Sequence, residues 1–111
     1  MAAAFEVSRR SNGEFQFNLK AGNGQVILSS EGYSAKASCL EGIESVRKNS
    51  QDDARFERQT SGNGQPFFNL TASNGQVIGS SEMYADEGGR DNGIASVKSN
   101  APGAAVNDQT G

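Results

Sequence analysis

The chain repeats itself. Asn23-Gly24-Gln25-Val26-Ile27, followed by Ser29-Ser30-Glu31 and Tyr33, returns 51 residues later as Asn74-Gly75-Gln76-Val77-Ile78, Ser80-Ser81-Glu82 and Tyr84. The same offset, without a gap, overlays Phe5-Glu6 on Phe56-Glu57, Asn12-Gly13 on Asn63-Gly64, and Phe17-Asn18-Leu19 on Phe68-Asn69-Leu70. Gly42-Ile43, Ser45-Val46 and Asn49 fall on Gly93-Ile94, Ser96-Val97 and Asn100. About half of the overlaid positions are identical, which marks a duplicated supersecondary unit. Any fold for this chain must be one that two copies of the same unit can build together.

Each copy reads as three strands and a helix. Phe5-Glu6-Val7-Ser8 alternates apolar and polar up to Asn12-Gly13, a pair that predicts a two-residue hairpin turn because both residues tolerate positive φ. Phe15, Phe17, Leu19 and Ala21 then alternate with Gln16, Asn18 and Lys20, the period of a strand with one buried and one wet face. Asn23-Gly24 makes a second turn, and Gln25 to Ser30 a third strand. From Ser34 the period changes: Ala35, Cys39, Ile43 and Val46 recur at helical spacing. Ser34 is the expected N-cap, Arg47-Lys48 suit the negative end of the helix dipole, and Asn49 is expected to stop the helix in the left-handed region. Gly42, repeated as Gly93, is a poor helix former, so it predicts close approach of helix to sheet at that turn. After the second helix, Pro102-Gly103 turns the chain into a last extended segment, and such post-helix segments can pair across the copies.

At 111 residues with 34% hydrophobic side chains, the core must be thin: one sheet face covered by helices. A unit of about 50 residues buries too little apolar surface to offset chain entropy by itself. The expectation is therefore one pseudo-dimeric domain over residues 1–111, with repeat 1 at about 4–50, repeat 2 at about 55–101 and a strand-like segment at about 104–110.

A net charge of −3 argues against nonspecific binding to phosphate backbones, which needs clustered Lys and Arg. The first copy, residues 5–50, is nearly balanced; residues 51–111 carry a clear acidic excess. The chain has no histidine, which removes the commonest general base and the commonest zinc ligand. A single cysteine, Cys39, on the helical stripe, permits no intrachain disulfide and reads as a small core residue. Asp52-Asp53 with Glu57 lacks the spacing of a calcium loop, and no cofactor or metal is expected. No apolar run has the length of a membrane span or signal core, so a cytoplasmic monomer with internal two-fold pseudo-symmetry is expected.

One polar constellation occurs twice: Asn18, Ser30, Glu31 and Tyr33, and again Asn69, Ser81, Glu82 and Tyr84. Serine needs an activating base, and with no histidine and no Ser-x-x-Lys in the stretch these residues read first as structural. An enzyme using them is the alternative. The positions where the copies differ are the other candidates. Phe67 replaces Gln16 on the polar strand face, where a lone aromatic ring could cover a seam or meet a partner; single-stranded nucleic acid is the weaker option. Asp86 and Arg90 replace Ala35 and Cys39 on the core stripe of the second helix, beside Gly88-Gly89. Two readings stay open there: a later-starting helix with an Asp86–Arg90 pair on a frayed first turn, or Arg90 as a partly buried contact for an anion or partner.

With three strands, a helix, the Asn-Gly-Gln-Val-Ile/Ser-Ser-Glu/Tyr stretch and the Gly-Ile-x-Ser-Val-(Arg/Lys)-x-Asn helix end in place, nearly the whole chain resembles the YegP-like family of bacterial proteins. The resemblance implies an α+β fold in which two tandem β-β-β-α repeats form one antiparallel sheet with two helices packed on it. It further implies that post-helix strands are exchanged between repeats and that single-unit relatives form homodimers. It implies no activity. What remains is a small non-enzymatic interaction or ligand-binding module whose partner, protein or small molecule, the sequence does not name.

Overall fold

A computed structural model describes residues 3–110. Strands β1 (Ala4–Arg9), β2 (Phe15–Lys20) and β3 (Val26–Ser29) precede helix α1 (Lys36–Asn49); β4 (Phe56–Thr60), β5 (Pro66–Thr71) and β6 (Val77–Ser80) precede α2 (Glu87–Asn100), and β7 (Ala105–Asp108) follows. All seven strands form one sheet in the order β4-β5-β6-β3-β2-β1-β7. The two copies meet at its centre, where Ser29 of β3 lies opposite Ser80 of β6 in an antiparallel bridge. Five antiparallel pairings join β1 to β6. β7 adds parallel to β1, with Ala105 opposite Ala4 and Asp108 opposite Val7, so the sheet is mixed. The fold is α+β, with the two predicted helices, and the strand after α2 is indeed given over to the other copy. The segment after α1, by contrast, passes through a one-turn 3-10 helix at Asp53–Arg55 and becomes β4 itself, which leaves the outer edge of β4 open.

The period-2 pattern decides what is buried. Phe5, Val7, Phe17 and Leu19 from the first copy, and Phe68 and Leu70 from the second, are fully covered, together with Ile43, Val46 and Val97 from the helices. Each helix spans both copies: α1 also packs on β5 and β6, and α2 on β3. Burying the apolar side of the sheet under helices drawn from both halves makes one continuous core.

Local geometry departs from expectation at three kinds of position. The hairpin loops hold three residues, not two. Gly13 N–H donates to the Arg10 carbonyl (2.9 Å) and Arg10 N–H to the Glu14 carbonyl, and the pattern recurs at Ala21–Gln25, Ser61–Gln65 and Ala72–Gln76. Only the glycine of each pair has positive φ, 86–87°; the asparagine instead accepts from the N–H two residues on, as Asn23 does from Gln25 at 3.0 Å. Asn49 does not stop α1 in the left-handed region: its amide bonds back to the Ser45 carbonyl (2.9 Å), and Ser50 continues with helical angles. Asn100 does the same to Ser96, which gives the repeated Ser-x-x-x-Asn a physical role. The N-cap of α1 is Ala35, one residue beyond Ser34, and it makes no side-chain cap bond.

The second helix starts in register with the first and is neither late nor unanchored. Asp86 is its N-cap, and the carboxylate accepts from Gly89 N–H at 2.7 Å, which offsets the low propensity of Gly88-Gly89. That bond turns Asp86 toward the helix end, so the expected Asp86–Arg90 side-chain pair is replaced: Arg90 pairs with Asp91 at 3.2 Å and reaches Glu87 at 3.9 Å.

Gly42 and Gly93 mark close approach, as their spacing predicts. A Cβ on Gly42 would stand 2.9 Å from Cζ of Tyr33 and 3.1 Å from Cε2 of Phe17; on Gly93 the clash is with Tyr84 and Phe68. The tyrosine after β3 or β6 is thus sandwiched between its helix and its sheet, stacked on Phe17 or Phe68 at 6.4 and 6.3 Å between ring centroids.

Candidate functional site

The twofold polar constellation is taken apart by the fold. Asn18 and Asn69 lie on the sheet face away from the helices, in a polar row that runs across all seven strands: Asn107, Glu6, Asn18, Ser29, Ser80, Asn69 and Glu57 occupy successive register positions. Tyr33 and Tyr84 lie on the opposite, helix-covered side. Ser30 and Ser81 are committed to the backbone. Each hydroxyl accepts from a strand N–H (Phe17 or Phe68, 2.9 Å) and donates to the next carbonyl (Glu31 or Glu82, 2.8 Å). A hydroxyl so engaged has its proton on the carbonyl, and among the described residues no lysine or carboxylate side chain bonds to it. Burial raises the phenols of Tyr33 and Tyr84 above the ordinary tyrosine range, Cys39 and Glu31 adding to the effect at Tyr33 and Glu82 at Tyr84, so both stay protonated at neutral pH. The arrangement fastens the exit of the third strand to the second in each copy; it does not assemble a nucleophile.

Phe67 projects from β5 onto the open face, half-buried, opposite Gln59 of β4. β5 lies one strand removed from the β3–β6 junction. The row beside it carries carboxylates, Glu57 directly opposite Asn69, which disfavours phosphate contact. Arg90 occupies the place of Cys39 in the core layer and is 8% exposed. Its guanidinium meets Asp91, which also accepts from Arg58 Nε at 3.2 Å, so α2 and β4 are tied by charge. Cys39 itself is fully buried, and burial pushes its thiol up.

A groove that the sequence reading did not single out lies between α2 and the first copy's β2–β3 hairpin. It encloses about 590 Å³. Gly89, Asn92, Gly93 and Ser96 supply the helix wall, Ala21, Asn23, Gln25, Val26 and Ile27 the hairpin wall, and Glu82, Met83 and Tyr84 the end. Its repeat-related counterpart, of about 480 Å³, lies between α1 and the β5–β6 hairpin and is lined by Glu41, Glu44 and Lys48 beside Ala72 and Asn74. The 51-residue offset turns those three charged residues into Asn92, Ala95 and Ser99, and turns Gly32 into Met83, which is 48% exposed. The α2 groove is therefore nearly uncharged and partly apolar, whereas the α1 groove is ionic. The signal was present in the sequence as four differences between the copies, but helix spacing alone does not say that they face a hairpin of the other copy.

Known proteins share both the sequence and this arrangement. The model of a family described as a domain of unknown function (DUF1508) matches twice, over residues 11–57 and 61–108. A UPF0339 protein of Bordetella pertussis is 56% identical over 108 residues, covering 97% of each chain, and one of Acinetobacter baylyi is 55% identical over the full length of both. UPF0339 protein YegP of Escherichia coli O157:H7 is 53% identical over 110 residues, covering 99% of this chain and all of that one. The solution structure of E. coli yegP superposes with a TM-score of 0.94 at 52% identity, covering 100% of this chain and 96% of that one. That of a Shewanella oneidensis UPF0339 protein superposes with a TM-score of 0.92 at 47% identity, covering 99% and 93%. Two family matches in tandem, relatives identical at more than half their positions and the same seven-stranded architecture agree: the chain belongs to the YegP family, UPF0339, as a member with two tandem DUF1508 repeats.

Proposed function

We propose that this chain is a non-catalytic, cytoplasmic binding module that works as a pseudo-dimeric monomer and takes a small organic ligand in the groove between α2 and the β2–β3 hairpin. The observation that carries the reading is the loss of charge in one of two repeat-related grooves: Asn92 lines it where Glu41 lines the other, and the counterparts of Glu44 and Lys48 are the uncharged Ala95 and Ser99, outside its lining. A concave, largely apolar surface with a few converging polar groups is the usual form of a small-molecule site. Val26, Ile27 and Met83 offer apolar contact, and the carboxamides of Asn23, Gln25 and Asn92 offer donors and acceptors. Glu82 is the one charged residue in the lining, so the ligand is uncharged or cationic, with an apolar portion.

A fragment screen by ligand-detected NMR tests this. Hits are expected to be neutral or cationic and to shift the amides of Gly93 and Ser96. The variant Asn92→Ala, at an exposed helix position, removes one of the converging carboxamides and is expected to weaken them about tenfold, the scale of one lost hydrogen bond. Hits that favour the α1 groove, or that are anionic, would defeat the reading.

A further inference from the structure

β7 shows, on one edge of the sheet, what the other edge lacks. It lies parallel on β1, its register continued by Gln109 N–H donating to the Val7 carbonyl at 2.8 Å. Two side chains fasten it: Arg47 donates to the Ala104 carbonyl at 2.6 Å, and Lys36, at the start of α1, pairs with Asp108. β4 is the copy of β1 and, among the described residues, pairs only with β5 and ends the sheet on that side. An unpaired strand edge is a template for a further strand.

We infer that the open edge of β4 is a binding site for an extended peptide that adds parallel to it, as β7 adds to β1, and that carries Lys or Arg at its fourth position. The register transfers by the 51-residue offset. The fourth residue then lies opposite Arg58, where Asp108 lies opposite Val7, and the fifth donates to the Arg58 carbonyl. At the entry, Phe56 N–H is already bonded to the Asp53 carbonyl, and Lys98, the counterpart of Arg47, holds the Asp53 carboxylate at 2.7 Å, so the pairing runs from Arg58 toward Thr60.

The charge of the fourth residue follows from the same correspondence. The side chain that meets Asp108 is Lys36; its counterpart is Glu87, which is 81% exposed and has only a 3.9 Å contact with Arg90. Leu40 becomes Asp91, a second carboxylate on the same helix face. Arg58 itself is drawn away toward Asp91 (3.2 Å) and Asp53 (3.9 Å). The sign of the fastening pair is thus inverted: the first copy holds an acid, and the second presents one. The inversion also refuses the chain's own β7, whose Asp108 would face Glu87.

The test is a titration of the ¹⁵N-labelled full chain with two end-blocked peptides, Ala-Val-Asn-Lys-Gln-Thr and the β7-derived Ala-Val-Asn-Asp-Gln-Thr. The lysine peptide is expected to shift and protect the Arg58 and Thr60 amides and to bind about threefold or more tightly than the aspartate peptide, the scale of one exposed ion pair. Glu87→Lys, at an exposed site, should reverse that order. Equal affinities, no perturbation of β4, perturbation of β1 by displacement of β7, or peptide-independent dimerisation would each overturn the inference. The reporters, Arg58 and Thr60, differ from Gly93 and Ser96, so this site and the α2 groove stand or fall separately.

Discussion

Gly79 stands where the first copy has Leu28, at the junction where the two copies meet. A Cβ there would lie 2.8 Å from both Cγ and Cδ2 of Leu28, which is itself fully buried. Near a pseudo-two-fold axis the same side chain cannot fill the same space twice, and one copy has given way. Gly79→Ala is therefore expected to destabilise by about 1–3 kcal/mol through overpacking. Gly88→Ala is the contrasting case: the nearest neighbour is the Asp86 carboxylate at 3.6 Å on an exposed helix turn, and higher helix propensity should stabilise by about 0.5–1 kcal/mol. Urea denaturation with an unchanged slope would read both signs, and a Gly79→Ala protein as stable as the parent would contradict the packing described for Leu28.

Among the elements, β7 depends most on a single charge. Its four side chains are exposed, so backbone pairing and the Lys36–Asp108 bond hold it in place of apolar burial. The Lys36 ammonium, and then the hydroxyl and amide of Thr110, hold the Asp108 carboxyl down to about 2. A depressed acid contributes stability that is present above its ordinary carboxylate value and is lost as pH falls through its folded value. Docking of β7 is thus expected to be complete at neutral pH and to weaken between the ordinary aspartate range and about pH 2, read as faster exchange of the Gln109 amide. Lys36→Ala should raise the Asp108 titration midpoint, though not to the ordinary value while Thr110 remains bonded. A midpoint unmoved by Lys36→Ala would show that the pair does not form in solution.

At the scale of the whole molecule, each helix lies over both copies, so the two halves share one continuous core. Residues 1–51 expressed alone are expected to be unfolded or to dimerise, since a unit of this size buries too little apolar surface without the packing of α1 on β5 and β6 and of α2 on β3. Sedimentation with circular dichroism separates the outcomes: a folded monomer would show that the shared core is dispensable. The sequence by itself determined the units. Alternation at Phe15–Ala21, the Asn-Gly turns, the helical stripe through Ile43 and Val46 and the tight glycines Gly42 and Gly93 are written in neighbouring residues, and local sterics and burial read them directly. Three things were decided only by the tertiary structure: the parallel attachment of β7 to β1, the open edge of β4, and the pairing of α2 with a hairpin from the other copy. Two copies that carry the same local signals offer the same edges and the same grooves. Which one is filled depends on where the chain runs on after each helix, and on side chains such as Lys36 and Glu87 that meet their partners only across long separations in sequence.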